Sequence, residues 1–272
     1  MRGLFVTATD TGAGKTVVSA ALLAAMACAG ERVRAHKPVV TGLDEPPGEW
    51  PPDHELLAAA AGMEPEQVAP LRYGQAVSPQ LAAQLAGDSI APADLIARAR
   101  EGGASERGLD ERGTSERGLD ERGTGERTLI VEGVGGLLVP LSDHFTVRDL
   151  AVSLGLPVLI AARPGLGTIN HTLLTLGGAR AAGLDVRAIV LTPWPAEPSA
   201  LERSNRETIA GLGDIEVAVL GAVRSPAVAG LARAGGALPW RRWLSPARGE
   251  SQAPAAAITA PVTRARSSCA MT

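Results

Sequence analysis

Short aliphatic runs recur along the chain, and most are followed by a stretch with the three-to-four-residue apolar spacing of an amphipathic helix. Residues 4–7 form the first run and lead through a Gly-rich turn into a helical pattern over 16–29, stopped by Gly30. A second strand is predicted over 33–39, running into Lys37-Pro38, and residues 43–52, with four prolines, read as loop. Asp53 precedes a helical pattern over 55–61, and further helices are predicted near 79–86 and 91–100. Residues 128–131 are an all-apolar strand of the buried, parallel kind. Three strand–helix units follow: 157–162 with 168–182, 186–191 with 198–211, and 215–220 with 226–234. This alternation predicts an α/β fold, a single doubly wound and mainly parallel sheet with helices on both faces.

One domain over residues 1–244 accounts for these elements, and 245–272, rich in Pro, Ala, Ser, Thr and Arg without periodicity, is expected to be a disordered tail. Within the domain, 103–127 is a charged insertion carrying two identical ten-residue copies, 105–114 and 115–124. One Leu per copy cannot bury a face, so the repeat reads as a solvated surface segment, with an interaction tail as the alternative.

Aromatics are only 3% of the chain, so the core must be aliphatic. A net charge of -3 gives no basic footprint for nucleic acid. No apolar run reaches the length of a membrane span, the first residues lack a secretory core, and two cysteines, Cys28 and Cys269, make no disulfide framework. A cytoplasmic protein is expected.

Of 26 basic Lys and Arg residues, two are lysine, Lys15 and Lys37. A compact ammonium fits among phosphate oxygens where a planar guanidinium does not. Lys15 lies in Gly12-Ala13-Gly14-Lys15-Thr16, between the first strand and first helix, which is the arrangement of a phosphate-binding loop. Lys15 would meet the β- and γ-phosphates, and the Thr16 hydroxyl would bind Mg²⁺. The usual spacing asks for Gly at position 9, where Thr9 stands. Glu132 ends a buried strand where doubly wound sheets bind ligands, and the glycines at 133, 135 and 136 point to close approach of another group. Asp53 is either a second Mg²⁺ ligand or a helix cap.

Four stretches in order resemble dethiobiotin synthetase: 7–16 with the phosphate loop, His36-Lys37-Pro38 through Gly42, 131–136 with 140–143, and 166–172 around Asn170-His171. The resemblance covers residues 2–235 apart from the insertion and implies a P-loop NTPase-like fold. The implied activity is ATP- and Mg²⁺-dependent ring closure of 7,8-diaminopelargonate with CO₂, through a carbamate and a carbamic–phosphoric anhydride. By resemblance Lys15 and Lys37 are catalytic, Lys37 lying between γ-phosphate and carbamate. Thr16, Asp53 and Glu132 take the Mg²⁺ positions. The nucleotide site comprises Gly12, Ala13, Gly14, Lys15, Thr16, Val17, Asp53, Glu132, Gly133, Val134, Gly135, Thr192 and Pro193. Thr11, Lys37, Thr41 and Asn170 take the substrate positions. A homodimer with sites at its interface is also implied, Asn170 serving the neighbouring site, and His171 is structural in this scheme.

The family's base-reading Asn-Asp is replaced here by Thr192-Pro193-Trp194, so CTP or another triphosphate is expected to serve beside ATP. Two relatives in chemistry are less consistent with the chain. A cobyrinate amidase-like synthetase needs a glutaminase cysteine, and Cys269, in the expected disordered tail, is not expected to serve. A partitioning-type switch ATPase carries an extra Lys where Asp10 stands.

Overall fold

A computed structural model describes residues 1–46, 48–101 and 127–245. The tandem repeat and all but the first residue of the expected tail lie outside the described residues. The chain opens with β1 (Gly3–Ala8), α1 (Lys15–Cys28), β2 (Val33–His36) and the short β3 (Val39–Val40). Next come α2 (Asp53–Ala61), α3 (Pro65–Val68), β4 (Leu71–Arg72), α4 (Pro79–Leu85) and α5 (Pro92–Glu101). After the insertion follow β5 (Thr128–Glu132), β6 (Pro140–Ser142), β7 (Phe145–Thr146), α6 (Val147–Leu154) and β8 (Val158–Ala162). The last elements are α7 (Thr168–Ala181), β9 (Val186–Trp194), α8 (Ala200–Gly213), β10 (Val217–Gly221), α9 (Val228–Gly236) and α10 (Trp240–Leu244).

Six strands form one sheet in the order β2-β5-β1-β8-β9-β10, and every pair is parallel. Side chains alternate strictly across it. Leu4, Val6 and Ala8 join the core beneath α1, α2 and α9, whereas Phe5, Leu129 and Val131 join the core beneath α6, α7 and α8. Both faces are covered, which is why the strands read as continuous apolar runs rather than alternating ones. The connection leaving β1 crosses β5 to reach β2, whereas the one leaving β5 crosses β1 to reach β8, so the two run opposite ways from the carboxyl ends of neighbouring strands. Ligands bind in the crevice at such a point.

Sequence and structure differ where backbone chemistry intervenes. The strand predicted over 33–39 divides at Lys37-Pro38: β2 pairs β5, but β3 pairs β4 in a separate two-stranded sheet. Pro38 has no N–H to continue a ladder, and Lys37 N–H turns to the Val68 carbonyl at 2.9 Å. Asp53 is not a cap: Pro52 holds the N-cap position and Asp53 begins α2 itself. Helix α6 was not read from the sequence, although a reciprocal Thr146–Asp149 capping box starts it.

His36, at the end of β2, is 2% exposed, and its Nε2 has no hydrogen-bond partner. Burial, with the charges of Arg34 and Arg98 adding to it, pushes its pKa from 6.5 down to about 4. The folded chain keeps the ring neutral to about pH 4, whereas the unfolded chain protonates it near 6.5. Stability from this group is therefore complete above about pH 6.5 and lost as pH falls toward 4, by about 3 kcal/mol. Urea titrations at pH 7 and 4.5 should give a smaller difference for His36→Leu than for the parent; equal differences would contradict this.

Candidate active site

Strand β1 delivers the chain into a turn whose shape depends on two glycines. Gly12 has φ +68° and Gly14 φ +86°, left-handed values that glycine adopts without strain. Position 9 asks for no such freedom: Thr9, just past the end of β1, has no positive φ and donates its N–H to the Ala161 carbonyl at 3.1 Å. The departure from the usual spacing at Thr9 thus falls where glycine is not needed. A Cβ at Gly14 would stand 2.5 Å from Thr192 Cγ2, so the loop rests directly on β9.

Lys15 opens α1 and folds back over the loop, 6% exposed, with Nζ 3.3 Å from the Asp10 carbonyl. Burial lowers its pKa; Glu132 opposes that fall and the Lys37 charge adds to it. An anion at the loop would relieve both burdens. On the next residue, the Thr16 hydroxyl lies 2.9 Å from Asp53 Oδ1 and 3.0 Å from Glu132 Oε1.

Lys37 completes the cluster. The kink at Pro38 leaves it at the sheet's carboxyl edge, 3% exposed, with Nζ 2.8 Å from Asp53 Oδ2 and 2.6 Å from Glu132 Oε1. Burial disfavours its charge, but Glu132 and Asp53 outweigh burial and hold the pKa above the ordinary lysine value. Burial also pushes the Asp53 carboxyl up, yet Lys37 and the Thr16 hydroxyl hold it below its ordinary value. Glu132 is 1% exposed, and its Oε2 has no hydrogen-bond partner.

Thr16, Asp53 and Glu132 therefore converge as hard oxygen donors with one buried carboxylate oxygen unused, a donor set that fits Mg²⁺. Among the described residues no cluster of three or more His, Cys, Asp or Glu side chains forms a self-sufficient metal cage. An ion here would need phosphate oxygens to complete its shell, as Mg²⁺ delivered with a nucleotide does.

A cavity of about 720 Å³ opens over this cluster. Of the residues singled out from sequence, Thr11, Gly12, Gly14, Lys15, Thr16, Val17, Lys37, Thr41, Asp53, Val134 and Gly135 line it. Ala13 and Glu132 are buried just behind the wall. The glycines at 133, 135 and 136 also pack closely on protein: a Cβ at Gly133 would meet Val147 at 2.8 Å, one at Gly135 would meet Val139 at 2.7 Å, and Gly136 faces the loop backbone. Thr192 is 2% exposed beneath Gly14, Pro193 is exposed, and Asn170 is exposed on the first turn of α7; none of these three lines the cavity.

Sequence reasoning missed the apolar side of this cavity, made by Trp50, Pro51, Leu56, Ala76, Val77, Pro79 and Val139. No periodicity marks it, because its residues come from loops and helix ends. Ser78-Pro79, with Ser78 accepting the Leu81 N–H at 3.4 Å, was the one available signal, a helix start that brings Pro79 to the wall.

A family model described as AAA domain matches residues 2–229. An ATP-dependent dethiobiotin synthetase of Anaeromyxobacter sp. (strain K) is 41% identical over 221 residues, covering 77% of this chain and 89% of the relative. One from Mycobacterium sp. (strain KMS) is 37% identical over 227 residues, covering 83% of this chain and 90% of the relative. The chain belongs to the ATP-dependent dethiobiotin synthetase family. Among solved structures, the MinC:MinD cell division protein complex of Aquifex aeolicus is similar at 12% identity and a TM-score of 0.46, with 86% of each chain covered. The cluster of Lys15, Thr16, Lys37, Asp53 and Glu132 stands at the cavity beside its apolar wall. No helix among the described residues is long and apolar enough to cross a membrane.

Proposed function

We propose that this chain closes the ureido ring of dethiobiotin, using ATP, CO₂ and 7,8-diaminopelargonate. One observation carries the reading: Lys37 is held between two carboxylates at the junction of a phosphate loop and a partly apolar cavity. The loop amides and Lys15 suit the triphosphate. The apolar wall around Trp50, Ala76, Val77 and Pro79 suits the aliphatic chain of the diamine.

Carbon dioxide on one amine gives a carbamate, whose oxygen attacks the γ-phosphorus and expels ADP. The second amine then attacks the carbamoyl carbon, the C–O bond breaks, and phosphate leaves with the carbamate oxygen. Lys37 offsets charge on the attacking side and Lys15 on the leaving side. Thr16, Asp53 and Glu132 would hold Mg²⁺, which when bound neutralises phosphate oxygens. Thr11 and Thr41 border the space for the diamine and carbamate. With ¹⁸O-bicarbonate, supplied before exchange with water, label should appear in the released phosphate; label-free phosphate would contradict the anhydride.

A homodimer of cytoplasmic protein is part of the same reading. Asn170 and Leu174 are four residues apart on one face of α7, and Leu166, Leu174 and Leu138 are 90%, 67% and 63% exposed. A second copy would cover them and bring Asn170 to its neighbour's cavity.

The end of β9 carries Thr192-Pro193-Trp194 and offers no side-chain amide to a base, and Thr192 is itself buried under Gly14. We expect ATP to exceed CTP in kcat/KM by less than about a hundredfold, since one neutral hydrogen bond contributes about 1 kcal/mol. A larger ratio in parallel assays with the two nucleotides would contradict this.

A further inference from the structure

Arg163 follows directly on the last residue of β8, across the phosphate loop from the cavity. Its Nε and Nη2 both donate to the Gly12 carbonyl, at 3.1 and 3.0 Å. In a trans peptide the carbonyl and the following N–H point in opposite directions. Arg163 does not line the cavity, whereas Gly12 and Gly14 do. Drawing the Gly12 carbonyl toward Arg163 therefore turns the Ala13 N–H the opposite way, away from Arg163. That N–H has no hydrogen-bond partner among the described residues.

Two further features hold the arrangement. A Cβ at Gly12 would stand 2.9 Å from Arg163 Nη2, so glycine there both permits φ +68° and leaves room for the guanidinium. The segment carrying Arg163 is tied down from α8. Asn205, 4% exposed, donates from Nδ2 to the carbonyls of Pro164 and Gly165 at 2.9 and 3.1 Å.

We propose that Arg163 is a positioning residue for nucleotide binding: it clamps the Gly12 carbonyl outward and thereby presents the Ala13 N–H to the triphosphate. The proposal rests on the nucleotide reading above. Arg163 touches no reacting atom, and its effect belongs to ATP affinity rather than to the chemical step. A lysine offers a single ammonium in place of the two-pronged fork and restores the clamp in part.

The test is ATP titration by calorimetry, with steady-state kinetics, on the full chain and its Arg163→Ala and Arg163→Lys variants. Arg163→Ala should weaken ATP binding and raise KM for ATP about tenfold, with Arg163→Lys between it and the parent. Turnover at saturating ATP and KM for the diamine should stay within about twofold. Should Arg163→Ala fail to fold, Asn205→Ala, which frees the 163–165 segment, should shift ATP affinity the same way and leave KM for the diamine alone. A folded Arg163→Ala protein that binds ATP as the parent does would overturn the proposal. So would parallel loss of ATP and diamine affinity, the mark of a general structural role. A parent chain that binds no ATP would overturn the nucleotide reading itself, a result separable because it needs no variant.

Discussion

Lys37→Arg is expected to lower kcat at least about a hundredfold while ATP still binds within about threefold of the parent. The charge is unchanged, so the loss comes from shape. Lys37 is 3% exposed, with Asp53 Oδ2 at 2.8 Å and Glu132 Oε1 at 2.6 Å. A planar fork in that space must displace one carboxylate or point away from the cavity. Either outcome removes the point charge from the attacking side of phosphoryl transfer, while Lys15 and the loop amides still hold the nucleotide. Lys15→Arg should differ by weakening ATP binding as well. Quenched-flow measurement of phosphate release, with ATP titration on the same samples, separates the two effects. Near-parent turnover in Lys37→Arg would remove Lys37 from the chemistry.

Glu132→Gln should be nearly as damaging and should also cost stability. Glu132 accepts from both Lys37 and Thr16 and is 1% exposed. A neutral amide leaves the buried ammonium with Asp53 as its one remaining counter-charge, and Asp53 is half-exposed. Removing one partner of a buried pair costs about 3–5 kcal/mol in general, and the surviving Asp53 contact places this variant near the lower end, at about 3 kcal/mol. The second effect is on Mg²⁺. With one anionic donor gone, the Mg²⁺ concentration for half-maximal activity should rise at least about tenfold. Urea unfolding and a Mg²⁺ titration of turnover check the two parts. A variant as stable as the parent with an unchanged Mg²⁺ requirement would contradict both.

Much of this site was legible in the chain because its key groups sit at fixed offsets from strand ends. Lys15 and Thr16 follow β1, Lys37 follows β2, and Glu132 ends β5; parallel topology brings these three ends to one edge. Asp53 was ambiguous because a carboxylate at a helix start serves equally as a cap or a ligand. Only the tertiary fold, by carrying α2 against α1, brings Asp53 to Thr16 and Lys37 and leaves the cap position to Pro52. The apolar wall was illegible for a different reason: its side chains converge from segments with no shared period. The same holds for Arg163, whose partner is a backbone carbonyl 151 residues away. Glycines 133 and 135 were read as sites of close approach, and the groups that approach them are Val147 and Val139.

The central claim is tested most directly by product mass. Folded, ATP-binding chain is incubated with 7,8-diaminopelargonate, bicarbonate, Mg²⁺ and either ATP or CTP. The account predicts dethiobiotin in both reactions, formed in equal amount with nucleoside diphosphate. Diphosphate without dethiobiotin, or no product with either nucleotide, would contradict it.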